Sequence, residues 1–378
     1  MMDLTFSDRE QAFRAEVRAW LRANVPDPAL LSGDTREGFA AHIEWEKQLF
    51  DAGWAVVSWP REYGGREASL MEWLIFEEEY YLAGAPSRVT QNGIFLLAPA
   101  IFELGTEAQK QRWLRPMAAG EYTWAQGWSE PGAGSDLASL KSTARRVDGG
   151  WRLSGQKTWC TRASFCDGVY GLFRTDPEAR RHKGLTYFLV PLDAGGVTVR
   201  GFDRLDGDEG FAEVFFEDVF VSDDDVLGEV NQGWYVAMAT TNSERGLTLR
   251  SPGRFMAAAA RLIDLYRERA ATADPVLRDA VVRAWMDAEA YRTYTFQTVT
   301  KMIEGGSIGF DASINKIFWS EMDIRLHETA LRLLGDAGEL STPWMKGFQF
   351  ALAGPIYAGT NEIQRNVVAE RVLGLPRK

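Results

Sequence analysis

Cysteine and histidine are scarce in this chain, with two of the first and three of the second in 378 residues. Cys160 and Cys166 are too few for a disulfide scaffold and read as reduced, packed thiols. His42, His182 and His327 stand far apart, and no carboxylate cluster replaces them, so no metal is expected. Positive charge is short as well: 42 Lys and Arg against 53 Asp and Glu leave a net charge of −11. That excess of acid argues against a nucleic-acid partner, because phosphate binding needs clustered cations. No run of about 18 apolar residues is present, so no membrane insertion is expected. The N-terminus opens with Asp3, Ser7, Asp8, Arg9 and Glu10 where a secretory leader would be apolar, which leaves the cytoplasm as the expected location. Neither a GxGxxG opening a helix after a strand nor a phosphate-binding GxxxxGK loop occurs, so a nicotinamide Rossmann site and an ATP site lack support.

What is present changes character twice along the chain. From Ser7 to about residue 120 the apolar spacing is helical. Ser7 and Glu10 form a capping-box pair ahead of Phe13, Val17, Trp20 and Leu21, and further helices are predicted over residues 39–52 and 70–82. Trp45, Trp54 and Trp73 read as core. Between about 122 and 228 the period shifts toward two, with short β runs at 122–128, 142–147, 151–154, 169–173, 186–191 and 213–221. Asp148-Gly149-Gly150 is a hairpin signal between two of them. From 231 onward, long amphipathic stretches over 234–268, 275–304 and 312–334 read as helices again. The layout is α+β, with domains expected at 1–120 (helical), 121–228 (β) and 229–378 (helical).

Two patches in the β block carry chemistry. Trp128-Ser129-Glu130-Pro131-Gly132-Ala133-Gly134-Ser135-Asp136 reads as a strand running into a loop whose glycines let backbone N–H groups approach a ligand closely. Ser129 and Ser135 add hydroxyls. Gly155-Gln156-Lys157-Thr158-Trp159-Cys160-Thr161 places an indole and a hydroxyl two positions apart, on one face of a regular strand, where they could meet a flat polar heterocycle.

These patches resemble the flavin-binding segments of the acyl-CoA dehydrogenase family. So do residues 211–228 (FAEVFFEDVFVSDDDVLG) and 357–376 (YAGTNEIQRNVVAERVLGLP), and the likeness runs colinearly over essentially the whole chain. It implies an N-terminal helical domain, a middle β-barrel-like domain and a C-terminal four-helix bundle, with FAD at subunit interfaces. By that resemblance Gln126, Gly127, Trp128 and Ser129 lie along the isoalloxazine and its pyrimidine edge, and Ser135 approaches the flavin diphosphate and the substrate. Trp159, Cys160 and Thr161 flank the flavin ring, Thr161 near N5, while Thr360 and Glu362 reach the adenosine side. Tyr357, Ala358 and Gly359 border the substrate.

The implied reaction is α,β-dehydrogenation of an acyl-CoA to the 2-enoyl-CoA, with a carboxylate base, hydride transfer to flavin N5 and electrons passed to an electron-transfer flavoprotein. Most of the family carries its base in a Tyr-Glu-Gly-Thr motif. Here the motif is Tyr357-Ala358-Gly359-Thr360, and alanine takes no proton. A smaller branch holds the base on an early helix of the C-terminal domain, and Asn242-Ser243-Glu244-Arg245-Gly246 matches that stretch. Glu244 is therefore the expected base, with Arg245 positioning the base or the acyl-CoA; without the resemblance Glu244 would read as a solvated or intrahelically paired residue.

Two further departures concern assembly. Around Arg269 and Gly335 the chain reads Arg269-Ala270-Ala271-Thr272-Ala273 and Arg332-Leu333-Leu334-Gly335-Asp336-Ala337-Gly338. By the resemblance Arg269 and Gly335 are cofactor-binding, in the half-site offered to a neighbouring subunit's FAD, where the family commonly has Arg-x-x-Phe-Gly and Gln-x-x-Gly-Gly-x-Gly. Here the aromatic and glycine after Arg269 are lost and Asp336 replaces one of the paired glycines, which weakens that half-site. The resemblance thus admits a homo-oligomer (dimer or tetramer) or a heterotetramer with a second acyl-CoA dehydrogenase-like chain, as in bacterial relatives that degrade sterol side chains. Other readings stay open: a flavin oxidase, a dehydrogenase of a carrier-protein-bound acyl group, or a catalytically silent partner subunit.

Overall fold

The structure, a computed structural model, describes residues 5–244, 251–269, 274–306, 308–309 and 311–376, with the side chains of 241–244 left undescribed. Its helices are α1 (Asp8–Asn24), α2 (Arg36–Asp51), α3 (Leu70–Leu82), α4 (Ala98–Leu104), α5 (Glu107–Ala118), α6 (Gly233–Glu244), α7 (Pro252–Arg269), α8 (Pro275–Ile303), α9 (Asp311–Leu334), α10 (Pro343–Ala351) and α11 (Asn361–Val367). The strands are β1 (Trp124–Gly127), β2 (Thr143–Val147), β3 (Gly150–Thr161), β4 (Gly168–Arg174), β5 (Leu185–Pro191), β6 (Val197–Phe202), β7 (Phe211–Ser222) and β8 (Val226–Leu227). Among the described residues no helix is long and apolar enough to cross a membrane.

Packing divides the chain into two units that do not follow the three consecutive stretches. One comprises residues 1–26, 68–85 and 245–378; the other comprises 27–67 and 86–244. Thus α1 and α3 pack with the C-terminal helices, and α6 packs with the sheet.

In the first unit, Phe255 and Leu262 of α7, Tyr291 of α8 and Trp319 and Leu326 of α9 build an apolar centre. The α3 helix buries Glu72, Glu77, Glu78 and Glu79, which periodicity alone would place outside. Arginines supply the compensation. Arg9 meets Glu72 at 2.8 Å, Arg14 meets Glu78 at 3.0 Å and Arg18 meets Glu79 at 2.7 Å, all from α1, and Arg292 of α8 also binds Glu78. Buried carboxylates need such partners, since an unpaired one is strongly disfavoured. The capping boxes at Ser7/Glu10 and Ser69/Glu72 fix where α1 and α3 begin.

The second unit is built on one eight-stranded sheet ordered β6-β7-β3-β2-β4-β5-β8, with β1 pairing in parallel to β4. Asp148 and Gly149 form the two-residue turn between β2 and β3, where Val147 opposes Gly150 and Gly149 is left-handed at φ 69°. Val169, Phe173, Phe188, Val214 and Cys160 form the apolar face. Two strands, β6 and β8, fall outside the expected β runs. Trp45 and Trp54 are buried in this unit, and Trp73 in the other, as core.

Candidate active site

The β1 strand buries Trp124 and Ala125 and ends at Gly127, where a Cβ would lie 2.8 Å from Val169 Cγ2. Glycine is thus required there by packing. Beyond it the chain stays tied to β3, because the Thr158 N–H donates to the Ser129 carbonyl at 2.8 Å. Glu130 and Ala133 then exchange backbone hydrogen bonds (2.9 and 3.0 Å), closing a tight turn over Pro131 and Gly132. Inside that turn the Glu130 carboxylate accepts from the backbone N–H groups of Lys141 (2.6 Å) and Ser142 (2.9 Å) and from Lys157 Nζ (2.8 Å). Lys157 is completely buried, donates also to the Leu172 carbonyl at 2.7 Å, and lies over the Phe173 ring. Burial pushes the Lys157 pKa down. Burial would push Glu130 up, but the charge and hydrogen bond of Lys157, with the bonds from Lys141 and Ser142, hold it below the usual carboxylate range.

Outside the turn, Pro131, Gly132, Gly134, Ser135 and Asp136 are exposed. A Cβ at Gly132 or Gly134 would meet nothing within 4 Å, and neither is left-handed. Neither packing nor backbone conformation requires these glycines, which agrees with a surface cleared for close approach by a ligand.

Alternation in β3 is interrupted beside this loop. Lys157 opposes Val214 and Cys160 opposes Ala212, so two residues face one across the ladder: a β-bulge. Within it Trp159 adopts φ 59° and is 61% exposed, its ring held edge-on by Phe202 (5.2 Å) and Phe211 (5.6 Å). The expected shared face of Trp159 and Thr161 is therefore not the product of a regular pleat; the bulge turns the indole outward, while Thr161 is half-buried. Cys160 points into the sheet core, leaving its backbone as the part able to meet a ligand. Burial pushes both thiols, Cys160 and Cys166, up to about 12, so neither is a thiolate at neutral pH.

The polar atoms around β1 fit a flavin. Gln126 Nε2 and Trp128 Nε1 are buried donors with no hydrogen-bond partner among the described residues. Buried donors in this state are uncommon, and a ring with several carbonyl and imine acceptors would satisfy them. Together with the cleared glycines and the outward Trp159, they match what FAD would need. Gln126, Gly127, Trp128, Ser129, Ser135, Trp159 and Thr161 are thus all placed on β1, its following loop and β3.

Of the remaining predicted site residues, Arg269, Gly335, Tyr357, Ala358, Gly359, Thr360 and Glu362 belong to the helical unit, and Glu244 belongs to the unit of the sheet. Tyr357 precedes Ala358 and Gly359, both left-handed at φ 56° and 79°. Thr360 caps α11, accepting from the Ile363 N–H at 3.2 Å. Hydrogen bonds from its own backbone N–H and from the Thr360 hydroxyl hold Glu362 below the usual carboxylate range. The loop is braced by residues to which the sequence assigned no role. Gln364, fully buried, donates to the carbonyls of Ala358 and Gly359 at 3.4 Å, and Asn361 accepts from buried Lys316 at 2.8 Å. Arg254 pairs with Asp323 at 3.1 Å in the same unit. Arg269 ends α7 exposed, and Gly335 follows α9 at φ 57° with open space about it. Glu244 is the last residue of α6; its side chain, and Arg245 as a whole, lie outside the described residues.

Known proteins agree with this architecture. The N-terminal, middle and C-terminal domains of acyl-CoA dehydrogenase match residues 7–121, 125–219 and 231–373. The chain is 39% identical over 384 residues to acyl-CoA dehydrogenase IpdE1 of Mycobacterium tuberculosis, covering 97% of this chain and 98% of that one. Among solved structures it resembles the Tcur3481-Tcur3483 steroid acyl-CoA dehydrogenase (TM-score 0.90, 29% identity, 100% of both chains). It resembles the ChsE4-ChsE5 complex from Mycobacterium tuberculosis to a similar degree (TM-score 0.85, 28% identity, 100% of both chains). With the bulged strand, the cleared glycine loop and all three domains in order, the chain belongs to the acyl-CoA dehydrogenase family of flavin-dependent oxidoreductases.

Proposed function

We propose that this chain is the base-bearing subunit of an FAD-dependent dehydrogenase that converts a steroid-derived acyl-CoA to its 2-enoyl-CoA. The observation that carries the reading is Ala358. The motif position that usually supplies the family's base holds a methyl group on a left-handed backbone, so the carboxylate has to come from elsewhere. Glu244, closing α6 in the unit that also contains β1 and β3, is the residue proposed to do so.

In this reading Glu244 takes the proton from the α carbon, and Arg245 steadies that carboxylate or the thioester. A base performs this best in a dry pocket, where desolvation lifts its pKa toward neutrality. Gln126 and Trp128 would orient the cofactor through their unpaired N–H groups, and Trp159 and Thr161 would cover its ring. When bound, FAD supplies the acceptor for the β hydrogen as hydride. An electron-transfer flavoprotein is the proposed electron acceptor.

A second acyl-CoA dehydrogenase-like chain is the proposed partner. The solved steroid enzyme and the ChsE4-ChsE5 complex, both named as pairs, support it. So does the loss of the usual aromatic and glycines around Arg269 and Gly335. The substrate class rests on the steroid relative's name.

Anaerobic mixing with candidate acyl-CoAs tests the reading. Wild-type protein should bleach its flavin band within seconds, whereas Glu244→Gln should retain flavin and bleach slower by about 10²–10⁴-fold. Undiminished bleaching by that variant would remove Glu244 from the mechanism. Immediate reoxidation of the reduced protein by air would make it an oxidase instead.

A further inference from the structure

We infer that the buried Lys157–Glu130 pair is the positioning element that holds the Gly132–Ser135 surface and the Trp159 bulge in the arrangement that receives the flavin. The inference rests on the flavin reading above.

Packing alone does not explain a charge at Lys157. Lys157 is fully buried in a sheet whose neighbouring core side chains are Val169, Phe173 and Phe188. A methionine would fill similar space without taking a charge out of water, and exchanging a buried ion pair for apolar residues often leaves stability unchanged or higher. The charge therefore calls for a purpose beyond stability. Its contacts indicate one. The Lys157 stem runs under Gly127, the last residue of β1, with Cγ 3.5 Å from where a Cβ would stand. Its ammonium group joins the Leu172 carbonyl on β4 to Glu130 in the loop.

Glu130 in turn gathers both ends of the following segment. Its carboxylate takes the N–H groups of Lys141 and Ser142, while its backbone closes the turn with Ala133. All of this lies beneath the loop. Above it, a Cβ added at Gly132 or Gly134 would meet nothing within 4 Å, and the Asp136–Arg181 pair is solvent-exposed on both sides. The outward surface thus has little of its own to hold it and takes its shape from the carboxylate below. Lys157 is also the last regularly paired residue before the bulge, so the bonds that fix it also fix where Trp159 turns out. One ion pair sets two surfaces that must face the same flat ligand. Groups that orient metal ligands from behind typically cost about 10–100-fold in affinity when removed, and a comparable scale is expected for this support of the flavin surface.

The test uses the full-length chain in whatever assembly carries its flavin. Lys157→Met, Glu130→Gln and the double variant are compared with wild type by three readouts: FAD affinity after flavin stripping, the resolved shape of the bound flavin's absorption band, and melting of the flavin-free protein. The double variant is expected to melt near wild type yet bind FAD about tenfold or more weakly, with a band closer to free flavin. Lys157→Arg is expected to recover part of the affinity. A double variant that melts like wild type and binds FAD within about twofold, with an unchanged band, overturns the inference. Should the double variant fail to fold, Glu130→Asp decides. It keeps the charge on a shorter arm, so weakened FAD binding at unchanged flavin-free melting supports positioning, and unchanged binding overturns it. Wild-type protein that neither contains nor takes up FAD would defeat the flavin reading itself, a result distinct from variants that match a flavin-binding wild type.

Discussion

The side-chain amide of Gln364 reaches the carbonyl of Ala358 at 3.4 Å, so the alanine of the Tyr357-Ala358-Gly359-Thr360 motif is held in place from α11. Gln364 also reaches Gly359, and the two left-handed residues form one braced corner. The strain at Ala358 is measurable, because a Cβ in the left-handed region costs roughly 1–2 kcal/mol. Glycine removes that cost and adds back about 0.4–1 kcal/mol of unfolded-state entropy. Ala358→Gly is therefore expected to be neutral or to stabilise by up to about 1.6 kcal/mol. Denaturant melts decide it; a loss of stability would mean that the methyl packs.

Gly253 lies where α7 crosses α3, and a Cβ there would stand 2.7 Å from the Glu77 carbonyl and 2.8 Å from Glu78 Cα. Both neighbours are backbone and cannot rotate away. Gly253→Ala should cost about 1–3 kcal/mol through overpacking. A variant melting at the wild-type temperature would show that the crossing has slack.

Acid should weaken the fold in a defined direction. Burial raises the pKa of Glu72 and of Glu130, but bonds from Arg9 and Ser69 in the first case, and the charge of Lys157 in the second, outweigh it and leave both depressed. A depressed carboxylate contributes its full stability above its unfolded pKa of about 4 and loses it as pH falls through the folded value. Melting temperature should thus hold between neutrality and about pH 5 and fall below that. Arg9→Gln should flatten the Glu72 part of the decline. Melting that improves on acidification would contradict this pairing.

Trp159 separates function from stability. Its exposure means that Trp159→Ala should change folding stability by no more than about 1 kcal/mol, despite the size of the side chain. The bound flavin's absorption band should shift toward that of free flavin. A large drop in melting temperature with an unaltered band would assign the indole to packing instead.

Much of this was legible in the sequence where periodicity and punctuation agree. The helix over 70–82 matches α3 at both ends, because Ser69 and Glu72 cap one end and the apolar pattern stops at the other. The Asp148-Gly149 turn was equally plain. What sequence could not show was set by partners distant in the chain. The bulge at Trp159 depends on which residues of β7 face β3. Lys157 and Glu130 stood inside recognised patches without a role, since lysine is almost always exposed and nothing local indicates otherwise. The same holds for Glu78 and Glu79, whose buried carboxylates are met by Arg14, Arg18 and Arg292 from elsewhere in the chain. Gln364 stood inside the quoted 357–376 stretch without a role, and Lys316 outside any motif, because both support the corner at Ala358 from behind.

The division of the helical unit into three separated stretches has a consequence for the order in which the protein can be made. A ribosome releases α1 and α3 early, and Arg14 and Arg18 can meet Glu78 and Glu79 as soon as both helices emerge. The same α3 face also awaits Arg292 and the glycine at 253, which are synthesised after the entire sheet. Residues 27–67 and 86–244 can therefore complete their packing while α3 still presents an unfinished surface. A nascent chain halted before α7 would carry a finished sheet and a helical pair already joined by its arginines, with Glu78 still lacking Arg292 and the α7-facing side of α3 open to water.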